Sequence, residues 1–165
     1  MIEPHPTEPG AFLLSCEQWL DVPRERAFEF FGDAFQLEAI TPPWLRFHVL
    51  TPRPIEMRAG TLIDYRLRLH GIPVKWRTEI SVWEPPIRFV DRQISGPYAV
   101  WIHEHTFEEQ DGGTLVRDRV TYRIPYGRMI GGLANRILVK RDLENIFRFR
   151  QDALARLLSN APATR

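Results

Sequence analysis

His103 and His105 stand two residues apart in the run Trp101-Ile102-His103-Glu104-His105-Thr106-Phe107, and Asp118 follows in Val116-Arg117-Asp118-Arg119-Val120. An imidazole and a carboxylate held together in an apolar setting can move a proton, because the setting tunes both groups. Two histidines at i and i+2 of a strand also project from one face. With a carboxylate opposite, they have the donor types of a two-histidine, one-carboxylate metal triad. His-x-His is a short pattern that arises by chance, and metal-bound imidazoles need acceptors behind them. We therefore read His105 and Asp118 as a hydrogen-bonded pair and candidate catalytic groups, with no metal and no cofactor. The alternative is a polar pair that merely satisfies itself in a core. Other reactive signatures are missing: there is no GxSxG elbow, no phosphate-binding glycine loop and no dinucleotide fingerprint. Cys16 carries no neighbouring cue for a nucleophile.

The elements that position these groups follow from local signals. Asp111-Gly112 is a strong two-residue hairpin turn. A turn centred there pairs Gln110 with Gly113 and, in the same register, Phe107 with Val116, His105 with Asp118, His103 with Val120 and Trp101 with Tyr122. The eight side chains from Phe107 and Val116 to Trp101 and Tyr122 share one face. The other face pairs Glu104 with Arg119 and Thr106 with Arg117, as a solvated surface should. The inner face is thus apolar at its ends and polar in the middle, and buried polar groups need partners.

A long terminal helix is expected over residues 129–158, with Gly131-Gly132 kinking or delaying its start. At 3.6 residues per turn Val139, Leu143, Ile146, Phe147, Leu154, Leu157 and Leu158 form one stripe. Arg150 falls in its middle and Arg136 on its edge. An inward Arg150 needs an acceptor, either Asp118 or an anionic ligand group. Ile63, Tyr65, Leu67 and Leu69 share a second strand face, and Trp76, Thr78 and Ile80 a third; these are either cavity wall or core.

The rest of the chain reads as strand at 12–20, short helices at 24–31 and 34–40, then strands at 44–50, 61–69, 74–83, 89–94, 98–107 and 115–124, each bounded by Gly, Pro or Asp. Consecutive strands joined by short turns make an antiparallel meander. Residues 1–11 read as a flexible tail, 12–158 as one domain and 159–165 as a second tail. An antiparallel sheet with its helices on one side is an α+β architecture.

Composition excludes several function classes. At 165 residues, 44% of them hydrophobic, the chain can bury a sizeable core without staples. Lys and Arg number 22 against 21 Asp and Glu, a net charge of +1, which gives no electrostatic case for nucleic acid. A lone cysteine argues against a disulfide framework, and no apolar run approaches a membrane span. A cytoplasmic monomer or homodimer, not integral to a membrane, is expected. Arg141, Arg148 and Arg156 lie off the apolar stripe, and Asp142, Glu144 and Asp152 dilute them into an ordinary solvated face.

Several stretches together resemble the SRPBCC superfamily, the START-related, birch-pollen-allergen-like helix-grip proteins. They are Val22-Pro23-Arg24 with Phe28-Glu29-Phe30-Phe31; Leu37-Glu38-Ala39-Ile40-Thr41-Pro42-Pro43-Trp44-Leu45; and Gly96-Pro97-Tyr98 with the Trp101-x-His103-x-His105-x-Phe107 and Asp118-x-Val120-x-Tyr122 runs. The resemblance covers residues 12–158 and points to a bacterial, polyketide cyclase/dehydrase-like branch. It implies a curved antiparallel sheet wrapped around a long C-terminal helix, with two short helices after the first strand. It also implies an internal cavity for a hydrophobic or amphipathic small molecule and no obligatory cofactor, and it transfers no catalytic residue.

The expectation is binding or transport of such a molecule. Tyr65, Leu67, Trp76, Trp101, Phe107, Tyr122, Ile146, Phe147 and Leu154 would form its walls, and His103, His105, Asp118 and Arg150 its polar end. The alternative is a cyclase, dehydratase or aromatase in which His105, backed by Asp118, is the general base.

Overall fold

Asp111 and Gly112 take φ angles of 51° and 79°, the left-handed pair that a two-residue turn between right-twisted strands requires. They join β7 (Val100–Gln110) to β8 (Gly113–Arg123) in the expected register, Gln110 opposite Gly113 through Trp101 opposite Tyr122. His70 and Gly71, at 50° and 82°, make the equivalent turn between β4 (Leu62–Leu69) and β5 (Ile72–Glu84). The computed structural model describes residues 1–125 and 138–159. Its remaining strands are β1 (Ile2–Pro4), β2 (Phe12–Leu20), β3 (His48–Val49) and β6 (Arg88–Ser95).

All eight form one antiparallel sheet in the order β1-β2-β8-β7-β6-β5-β4-β3. Register shifts between Arg77 and Thr78 and between Ile80 and Val82 bend β5, and such irregularities add twist and curvature. The helix α1 (Arg24–Gly32) starts after Pro23, whose fixed φ suits a helix entrance. It buries Ala27, Phe28 and Phe31, and the Phe28 and Phe31 rings each pack edge-on against Phe107 of β7, 5.3 Å between centroids. The terminal helix α2 (Lys140–Ser159) lays Leu143, Phe147, Arg150, Leu154 and Leu158 against the concave side of the sheet. This is the expected α+β helix-grip architecture. Among the described residues no helix is long and apolar enough to cross a membrane.

Several expectations need correction. Residues 2–4 are a strand hydrogen-bonded to Phe12–Leu14, where a flexible tail was expected; Ile2 is buried beside Leu14 and Val120, and that contact holds the edge strand. The second short helix is a 3-10 segment, Ala34–Glu38, capped by the Asp33 carboxylate, which accepts the Phe35 amide N–H. Trp44 and Leu45 lie in a 3-10 turn, Pro43–Leu45, because Pro42-Pro43 suits a turn better than a sheet ladder. That leaves only His48–Val49 as strand there. On α2, Ala153 is buried, whereas Leu157 near the helix end is 43% exposed. The start of the terminal helix before residue 138, Arg136 and the second tail beyond residue 159 lie outside the described residues.

Candidate functional site

The concave face of the sheet and α2 enclose a cavity of about 190 Å³. Its wall is mainly apolar: Tyr65, Leu67 and Leu69 from β4, Trp76, Thr78 and Ile80 from β5, Trp101 from β7, and Ile146 and Phe147 from α2. Trp76 and Trp101 meet edge to face at 5.3 Å, and Tyr98 stacks obliquely on Trp101 at 4.8 Å, so one end of the cavity is an aromatic box. Trp76 Nε1–H donates to Thr78 Oγ1 at 3.0 Å, which satisfies the polar atom of an otherwise apolar wall.

The other end is charged. Strand alternation carries His103 and His105 inward on β7, Asp118 inward on β8 and Asp91 inward on β6, where Asp91 lies opposite His103 and Phe89 opposite His105. The two imidazoles lie 3.7 Å apart, and Phe89 stacks on the far side of His105 at 4.2 Å. Three positive or donating groups converge on one oxygen, Asp118 Oδ1: His103 Nε2 at 2.9 Å, His105 Nδ1 at 2.7 Å and Arg150 Nη2 at 3.5 Å. The His103 contact is a well-directed hydrogen bond. The His105 Nδ1 contact is close but misaligned, so it acts through charge rather than as a hydrogen bond. His105 Nε2–H donates instead to Asp91 Oδ2 at 3.1 Å. His103 Nδ1 stands 3.8 Å from that same Asp91 oxygen, beyond hydrogen-bond reach.

The electrostatics follow from burial and these contacts. Burial alone would raise the Asp118 carboxyl, but the Arg150 guanidinium and both imidazoles hold it well below the usual carboxylate range. Burial, reinforced by neighbouring His105, pushes His103 below its ordinary value and keeps it neutral. Burial opposes charge on His105 too, yet the Asp118 carboxylate beside Nδ1 and the hydrogen bond to Asp91 outweigh it, and its pKa lies above the ordinary value. Arg150 is 8% exposed, its guanidinium lies 4.9 Å over the Phe31 ring, and its buried Nε has no partner.

Cys16, on β2 opposite Asp118, points its thiol at Asp118 Oδ2 at 3.8 Å. Burial and the Asp118 charge push that thiol up to about 12. At pH 8 its thiolate fraction is then roughly a thousandfold below that of an ordinary cysteine. Cys16 is expected to react with a disulfide reagent such as DTNB only on unfolding. Reaction of the native protein at the rate of free cysteine would show that the pocket behind Asp118 is open.

The structure brings together much of the expected site. His103, His105, Arg150, Tyr65, Leu67, Trp76, Trp101, Ile146 and Phe147 all line the cavity. Four expected members do not. Asp118 sits behind the histidines. Phe107 and Leu154 belong to the packed cluster under α1. Tyr122, fully buried, stacks on Phe12 at 5.6 Å. Sequence reasoning missed Asp91, which requires the β6–β7 register; a lone acid two residues after the inward Phe89 was the available signal.

The family model described as polyketide cyclase/dehydrase and lipid transport matches residues 20–149. No curated protein sequence matches. Solved structures share the fold at low identity. Protein Ms6760 from Mycobacterium smegmatis is 19% identical with a TM-score of 0.67, covering 96% of each chain. Protein CV1439 from Chromobacterium violaceum is 14% identical with a TM-score of 0.69, covering 90% of this chain and 99% of that one. The Zhui aromatase/cyclase from a Streptomyces species is 14% identical with a TM-score of 0.69, covering 88% and 92%. A family match over most of the chain, together with a curved sheet closed by a terminal helix around an apolar cavity, places this protein in the SRPBCC-type polyketide cyclase/dehydrase and lipid transport family.

Proposed function

We propose that this protein binds a small amphipathic molecule, with its apolar part in the aromatic box and an anionic head at Arg150. The observation that carries this reading is the buried Arg150. It lines the cavity, and among the described residues its Nε lacks a partner and its one ion pair is a long one to Asp118. A buried guanidinium with donors to spare costs stability unless an acceptor arrives, and paired carboxylate or phosphate oxygens match its fork. Size narrows the class further. A cavity of about 190 Å³ is little larger than the roughly 150 Å³ that holds a benzene ring. One substituted ring or a short chain fits, whereas a long lipid tail needs the walls to move.

Balanced charge and one unpaired thiol are in keeping with a cytoplasmic protein whose partner is this small molecule rather than a nucleic acid. The cyclase-like alternative with His105 as general base is disfavoured, because His105 meets a carboxylate at each nitrogen and offers no open lone pair to a substrate. Native mass spectrometry of freshly purified protein, followed by extraction and small-molecule analysis, tests the binding reading. A bound acid of about that size is the expected result, and titration of single-ring carboxylates should quench the fluorescence of Trp76 and Trp101. Failure of every such acid to bind, with neutral apolar compounds binding instead, would remove Arg150 from the site.

A further inference from the structure

We propose that Asp91, His103 and His105 form a binding site for a divalent transition metal of the zinc class at the polar end of the cavity. The inference is independent of which organic molecule the cavity holds. One ligand atom from each residue lies within 4.8 Å of the other two. Asp91 Oδ2 is 3.1 Å from His105 Nε2 and 3.8 Å from His103 Nδ1. Metal–ligand bonds of about 2.0–2.2 Å put neighbouring donors roughly 3–3.5 Å apart. The Asp91–His105 spacing already fits, the Asp91–His103 spacing needs a few tenths of an ångström, and the two imidazole nitrogens, within 4.8 Å of one another, must close by up to about 1–2 Å through a small ring rotation.

The orientation of the rings is the stronger argument. Asp118 bonds His103 Nε2 at 2.9 Å and lies 2.7 Å from His105 Nδ1, and the opposite nitrogen of each ring faces Asp91. Ligation at His105 Nε2 replaces its hydrogen bond to Asp91, with the ring proton on Nδ1, where a small rotation lets it donate to Asp118. A carboxylate behind each imidazole, fixing ring angle and tautomer, is the arrangement that metal-bound histidines use. Here a single carboxylate serves both rings, and Arg150 and Cys16 hold that carboxylate in turn. With the His103 proton on Nε2, its Nδ1 lone pair faces the Asp91 carboxylate at 3.8 Å, two acceptors with no hydrogen between them. A cation between them resolves that confrontation.

Charge agrees. With both imidazoles neutral, as metal ligands must be, Asp91 and Asp118 are opposed among the described residues of the cluster by Arg150 alone, which leaves the cluster one net negative charge. Imidazole and carboxylate donors suit zinc and its neighbours rather than calcium. Three protein ligands leave coordination positions for water or for the head of a bound molecule, as open metal sites do. The carboxylate ligand is thus Asp91, whereas the sequence pattern offers Asp118, which supports the rings from behind.

The test uses the full chain stripped with chelator, without any organic ligand, and titrated with Zn²⁺ by calorimetry. One equivalent should bind with micromolar affinity or better. Co²⁺ should give visible absorption bands that Zn²⁺ abolishes. Asp91→Asn keeps shape and the acceptor for His105 but loses the charged donor, and should weaken binding at least about tenfold. Asp118→Asn leaves all three ligands present and should still cost about 10–100-fold. His103→Gln serves if Asp91→Asn fails to fold by circular dichroism. A variant with the other three histidines, His5, His48 and His70, all changed to Ala should bind as the parent does. No stoichiometric binding, or binding that survives Asp91→Asn and His103→Gln but is lost in the triple variant, overturns the proposal.

Discussion

Asp118→Ala is expected to lower the unfolding free energy by about 3–5 kcal/mol, the cost of removing one partner from a buried ion pair. The carboxylate is 5% exposed, and one of its oxygens meets His103, His105 and Arg150 together. Without it, among the described residues, the Arg150 guanidinium keeps no acceptor and His105 keeps Asp91 alone. For a domain of this size the melting temperature should fall by about 6–20 °C, measured by circular dichroism. Asp118→Asn should lose less, because an amide oxygen still accepts the His103 proton and fills the same space. A drop of under about 1 kcal/mol in the alanine variant would mean that water replaces the carboxylate freely and that the cluster is not sealed.

Arg150→Met is expected to weaken an anionic-headed ligand by about 10–100-fold, the equivalent of losing one hydrogen-bonded charge interaction worth about 1.5–3 kcal/mol. A neutral analogue of the same shape should change little, since the methionine stem preserves the apolar contact with Phe31. Arg150→Lys should fall between, because an ammonium keeps the charge but loses the two-pronged fit. The ratio of affinities for the two analogues, read through Trp76 and Trp101 fluorescence on folded protein, separates lost recognition from lost stability. Equal weakening of both analogues would assign Arg150 a purely structural role.

These two residues also show how much was legible before the fold was known. Asp111-Gly112 fixes a turn, the turn fixes a register, and the register puts His105 opposite Asp118 on an inward face. Period-2 alternation on β7 and β8 then separates the buried His103, His105 and Phe107 from Glu104 and Thr106. Helical periodicity places Arg150 on the buried side of α2 in the same way. Each of these is a short-range consequence of backbone geometry.

Asp91 was beyond such reasoning. β6 and β7 are joined by a longer connection through Gly96-Pro97, in which the Gln93 side chain donates to the Tyr98 carbonyl and accepts its N–H. No two-residue turn sets the register there, so only the folded sheet shows Asp91 opposite His103.

The sequence by itself determined the strand and helix order from Phe12 onward, the β7–β8 pairing and the inward polar patch, because turn chemistry and side-chain period act over a few residues. Tertiary structure alone decided which inward residues line a cavity and which are packed away. It set Phe107 and Leu154 under α1, Tyr122 against Phe12, and Asp118 behind the two imidazoles. Facing inward follows from local geometry, whereas space in front of a side chain depends on how far α2 stands from each strand of a curved sheet.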